Sequence, residues 1–134
     1  MRNRSDMIGM MAKREEARKA AAMNQLRRLH EAHEQTQAMT DRLRTILADR
    51  RVDGPVSAAE LRTAAMLNTK LAAECANQSE RLNHLHAQLE QQRNDFAQKS
   101  HRAQYLEDAA HRAKAEEAEE REARAQASMP VIRR

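Results

Sequence analysis

Large rings and chain breakers are nearly missing from this sequence. Its 134 residues include no Trp, one Tyr, one Phe, two Gly and two Pro. A globular core of this length normally draws on more large side chains than that. Bases have no aromatic platform to stack on, and no nucleic-acid reading motif occurs, so nucleic acid is not an expected partner. Cys75 stands alone. That excludes a disulfide framework and makes a reducing compartment the default. No apolar run approaches the roughly 18 residues a membrane-spanning helix needs, so direct membrane insertion is not expected. The start, Met1-Arg-Asn-Arg-Ser-Asp-Met-Ile-Gly-Met-Met11, lacks the apolar stretch and cleavage pattern of a secretion signal. There is no Gly-rich phosphate loop and no Ser/His/Asp spacing in a strand–turn context. With little to build a dry concave site, the chain is not expected to be an enzyme.

What is present is charge, alanine and leucine in a regular order. A third of the residues are charged, a composition typical of long helices and coiled coils. From Leu61, steps of three and four fall on Ala64, Asn68, Leu71, Cys75, Gln78, Leu82, Leu85, Leu89, Gln92, Phe96, Lys99, Ala103, Leu106, Ala110 and Ala113. A seven-residue repeat kept this long holds one narrow stripe against a partner helix. Asn68, Gln78, Gln92 and Lys99 interrupt the stripe. Polar seam residues cost stability but disfavour wrong registers. An earlier stretch repeats the spacing through Ala22, Leu26, Leu29, His33, Thr36, Thr40, Leu43 and Leu47. Upstream of Ala22 the register loosens, and Met7, Met10, Met11, Ala17 and Ala20 supply apolar surface.

Val52-Asp-Gly-Pro-Val-Ser57 is the one strong punctuation. Gly54 suits a left-handed residue past a helix end, and Pro55 forbids continuation. Ser57-Ala-Ala-Glu60 reads as a capping box, with Val56 and Leu61 as its hydrophobic staple. The fold expected is therefore all-α: an antiparallel two-helix coiled-coil hairpin with an overhanging C-terminal helix. It forms one unit over 1–128, with a helix at 6–51, a turn at 52–57 and a helix at 58–128. Asn3 or Ser5 is the first cap, and a disordered tail occupies 129–134. A fold-back at Gly54 pairs Leu47 with Leu61, Leu43 with Met66, Leu26 with Leu82 and Leu85, and Ala17 and Ala20 with Phe96 and Leu89. The first helix then runs out opposite Gln104, and everything from Tyr105 onward overhangs.

Charge is uneven. Residues 1–28 hold eight bases against three acids, and residues 114–128 hold three bases against five acids. Opposite signs attract if the fold brings these ends together. His30 and His33 share a helix face, and His84 falls near Gln25–Leu29 on the expected pairing. That is short of the four ligands zinc usually takes, so neither metal nor cofactor is expected, and His33 reads as a polar register device. Near the turn, Met39, Ile46, Met66 and Leu67 widen the apolar stripe. Such a surplus suits a docking partner.

A basic Met-rich start (Met10-Met-Ala-Lys-Arg14), the tip Asp53-Gly-Pro-Val-Ser57, and a longer second helix running Leu82-Asn-His-Leu-His-Ala-Gln-Leu-Glu-Gln-Gln-Arg-Asn-Asp-Phe96 through Tyr105-Leu-Glu107 together resemble the FliJ family of flagellar export proteins. The injectisome stalk proteins of the YscO type are similar in architecture. The resemblance implies a non-enzymatic, cytoplasmic stalk of a type III protein export machine, peripheral to its membrane-embedded apparatus. Its partners would be the hexameric export ATPase, the cytoplasmic domain of the export gate and export chaperones. By position, Met39, Ile46, Met66 and Leu67 would face the gate. Lys13, Arg14, Arg18, Asp108 and Arg112 would face the ATPase pore. The alternative is a generic self-associating coiled-coil scaffold or assembly chaperone.

Overall fold

Residues 3–50 and 54–130 are described by a computed structural model. They form two long helices, α1 (Arg4–Asp49) and α2 (Ala58–Ala127), and no strand occurs among the described residues. α1 begins two residues earlier than expected. The carbonyl of Asn3 accepts the Met7 N–H at 3.1 Å, so Asn3 is the cap. Ser5 lies inside the first turn, buried at 3 % exposure. Gly54 has φ of 85°, a conformation other residues reach only with strain. The Ser57 hydroxyl accepts the Glu60 N–H at 3.2 Å, and its carbonyl accepts the Leu61 N–H at 3.0 Å. This is the expected capping start of α2. The last turn closes where the Arg124 carbonyl accepts the Ser128 N–H at 3.0 Å, two residues before Pro130. Arg51, Val52 and Asp53 of the expected turn, and residues 131–134 of the expected tail, lie outside the described residues.

The chain divides into two units, Gln25–Arg93 and Met1–Asn24 with Asn94–Arg134. In Gln25–Arg93, segments of α1 and α2 pack antiparallel. Nη2 of Arg44 donates to Oγ of Ser79 at 3.4 Å, and the rings of His33 and His86 lie 6.4 Å apart. The buried residues are Thr36 and Thr40 on α1 and Leu82, Leu85 and Leu89 on α2. Their spacing is the expected seam. Each buried leucine removes enough apolar area from water to contribute about 1.5–3 kcal/mol. Thr40 is fully buried, and its hydroxyl is satisfied by the Thr36 carbonyl at 2.8 Å. Gln78 and Glu74 bond each other at 2.9 Å, so a seam amide is satisfied along its own helix.

The register differs from the expected one. Arg44 meets Ser79, fourteen positions beyond the Ala65 that the expected pairing places opposite it. Leu82 and Leu85 therefore stand level with Thr36 and Thr40, not with Leu26. A slide of about two heptads leaves the same residues in the seam, so periodicity alone cannot detect it. It also changes the start of α2. With Arg44 level with Ser79, the last residue of α1, Asp49, stands roughly level with residues 72–74 at 1.5 Å rise per residue. The preceding turns of α2 have no α1 residue to face. Leu61, Met66, Leu67 and Asn68 are accordingly exposed, and the Leu47–Leu61 and Leu43–Met66 pairs do not form.

The unit of Met1–Asn24 with Asn94–Arg134 is built from smaller residues. Ala22, Ala103, Ala110 and Ala113 are its buried apolar side chains, and Ser5 and Glu15 are buried beside them. The covered positions on α1 run Ser5, Ile8, Ala12, Glu15, Lys19, Ala22. The repeat thus does not loosen upstream of Ala22; it continues through polar and apolar residues alike. Met7, Met10, Met11, Ala17 and Ala20 are exposed. Ser5 bonds Glu117, so α2 is engaged as far as Glu117. The stretch 105–117 is therefore no overhang.

Candidate interaction surfaces

The clearest polar arrangement links the first turn of α1 to α2. Ser5 is the second helical residue, so its N–H has no partner within α1. Oε1 of Glu117 accepts that N–H at 3.0 Å, and Oε2 accepts the Ser5 hydroxyl at 2.5 Å. The carboxylate also sits at the positive end of the α1 dipole. Its pKa is lowered, first by the Ser5 hydroxyl bond, then by the Ser5 backbone bond, with Arg121 and Arg4 adding attraction. Asn3, Arg4, Glu120, Arg121 and Arg124 surround the contact as a polar groove. No spacing rule finds this pair, because Ser5 and Glu117 are 112 residues apart.

Glu15 is the counterpart that is not satisfied. One carboxylate oxygen accepts from Nη1 of Arg18 at 3.0 Å. The other, Oε2, is buried without a hydrogen-bond partner, alone in this among the described residues. Of the five residues suggested for the pore-facing end, Lys13, Arg14, Arg18, Asp108 and Arg112, all fall in the same unit and all are exposed. Lys13 lines a groove with Ala12, Glu16, Lys19, Ala103, Gln104 and Glu107. Arg18 turns inward to Glu15, and Asp108 accepts from Gln104 at 3.1 Å. Arg14 and Arg112 project into solvent.

The four residues suggested for the gate-facing surface are exposed but do not form one patch. Met66 and Leu67, 62 % and 43 % exposed, lie on the unpaired start of α2 beside a shallow depression lined by Arg50, Ala59, Glu60, Thr63, Ala64 and Leu67. Met39 and Ile46 are also exposed, but Met39 stands level with Leu82 and Asn83. That is about 25 Å along the helix from Met66 at 1.5 Å per residue. The two-heptad slide separates them. Leu61 joins Met66 and Leu67 instead, 50 % exposed.

His84 does not approach the His30–His33 face; His86 does, against His33. His30 bonds Glu34 at 3.1 Å. Among the described residues no three His, Cys, Asp or Glu side chains form a metal-holding group. No described helix is long and apolar enough to cross a membrane. No family model, curated protein or solved structure matches this chain.

Proposed function

We propose that this chain is a non-enzymatic stalk or adaptor of a bacterial type III, flagellar-type protein export apparatus. It links the hexameric export ATPase to the cytoplasmic domain of the export gate and escorts export chaperones. In this reading the chain is an antiparallel two-helix coiled-coil hairpin, with α2 overhanging beyond Glu117. One observation carries the reading. Gln25–Arg93 gathers exposed Leu61, Met66 and Leu67 at the start of α2, while the other unit carries exposed Lys13, Arg14, Asp108 and Arg112 alongside exposed Met7 and Met11. A linker between two partners needs two unlike surfaces, and an apolar one suits a protein groove while a mixed-charge one suits a polar pore. The buried unsatisfied carboxylate of Glu15 supports a functional use for the charged unit, since broken packing rules concentrate at functional places.

The test is capture from the native host followed by reconstitution. A hexameric Walker-motif ATPase should co-purify, and adding the chain should raise its turnover. Arg14→Glu with Arg112→Glu should remove that stimulation while helicity is unchanged. Absence of any such ATPase from the captured proteins would sink the proposal. A second reading, a self-associating scaffold or assembly chaperone, is favoured by the same exposed Leu61, Met66 and Leu67. It predicts a concentration-dependent dimer in sedimentation that Leu67→Gln disrupts.

A further inference from the structure

We propose that His33 and His86 form a two-imidazole site for a borderline divalent cation of the zinc, nickel or copper(II) class, bridging α1 and α2 within Gln25–Arg93. Imidazole nitrogen is a preferred donor for these ions. The ring centres are 6.4 Å apart and the ring planes are tilted by 48°. Two imidazoles on one ion, with metal–nitrogen bonds of about 2.0–2.1 Å, have ring centres about 5 Å apart at a tetrahedral angle and about 6.4 Å apart when opposed. The ring centres therefore stand at the opposed separation, and a tetrahedral angle brings them about 1.4 Å closer.

Accessibility is also right. His33 is half-buried at the seam and His86 is exposed beside it, so the ion enters from solvent and water completes its shell. The surroundings give the bridge something to do. The neighbouring α1 seam positions are Thr36 and Thr40, which bury less apolar area than leucines would. A cation held by both helices ties α1 to α2 beside the buried Leu85 and Leu89. His30 lies one turn before His33 on α1 and can approach the same ion if it leaves Glu34. The site does not require it.

The test uses the full-length, tag-free chain stripped with EDTA and titrated with zinc chloride. Calorimetry should give one zinc per chain, with the protein still monomeric. The thermal midpoint should rise with zinc and fall back on adding EDTA, because a ligand that binds only the folded state stabilises it. His33→Gln and His86→Gln should each weaken binding by about tenfold or more, whereas His84→Gln, two residues from His86, should leave it unchanged. Circular dichroism of each variant without zinc verifies folding. No binding at about 1 mM zinc, binding that survives His86→Gln, or one zinc shared between two chains would overturn the proposal.

Discussion

The two units solve the same packing problem with different residues. In Gln25–Arg93, three leucines of α2 bury themselves beside two threonines of α1. In Met1–Asn24 with Asn94–Arg134, four alanines line the seam and a carboxylate from α2 caps the start of α1. Leucine packing is non-directional and tolerates sliding by a heptad. Alanine brings backbones close but removes little area from water, so the alanine unit depends more on directional contacts. The Ser5–Glu117 bonds name one partner for one residue and so specify the register within their own unit.

The comparison breaks most visibly at Leu89, which is 3 % exposed. Leu89→Ala should cost about 2–4 kcal/mol in urea unfolding, because it leaves a cavity in the leucine seam. Next in size is the opposite change in the alanine unit. Ala103 is also 3 % exposed, and Ala103→Leu should cost about 1–3 kcal/mol by forcing the helices apart. If Ala103→Leu is stabilising instead, close alanine packing is not what that unit uses. Glu15→Met should gain about 1 kcal/mol, since a side chain of similar length replaces a carboxylate with one partnerless oxygen. The same variant should lose ATPase stimulation if the charged unit is the pore-facing one.

The smallest effect is a titration. The lowered pKa of Glu117 means that its contribution is fully present above the ordinary carboxylate value and is lost as pH falls through the lowered one. The Ser5 amide shift should follow that acid midpoint below the usual carboxylate range, and Glu117→Gln should abolish the titration. A midpoint at or above the ordinary value would remove the clamp from the account.

Much of the fold was legible in the residue order, and the reasons separate cleanly. The α2 seam from Leu71 to Ala113 and the Ser57 cap follow from spacing and from backbone bonding rules that hold locally. The register did not follow, because shifting two heptad strands by a whole number of repeats preserves every seam identity. The α1 seam before Ala22 was hidden because Ser5, Glu15 and Lys19 are polar, and apolar periodicity reports only apolar residues. Ala17 and Ala20, expected to face Phe96 and Leu89, are exposed. Seam spacing does not point to His86, which stands one residue off the seam, beside Leu85. The candidate surfaces were legible as residue types but not as patches: Met39 and Met66 are alike in chemistry and are parted only by the register.

Register in Gln25–Arg93 is thus the claim on which the exposed Leu61, Met66 and Leu67 and the histidine pair rest. Spin labels at Arg44→Cys and Ser79→Cys, in a Cys75→Ala background diluted with unlabelled chain, measure it directly by pulsed dipolar spectroscopy. The pair should be short, and a 44–65 pair should be longer by up to about 20 Å, since the two α2 positions are fourteen residues apart at 1.5 Å each. A short 44–65 distance with a long 44–79 distance would contradict the account, as would a 44–79 distance that vanishes on dilution.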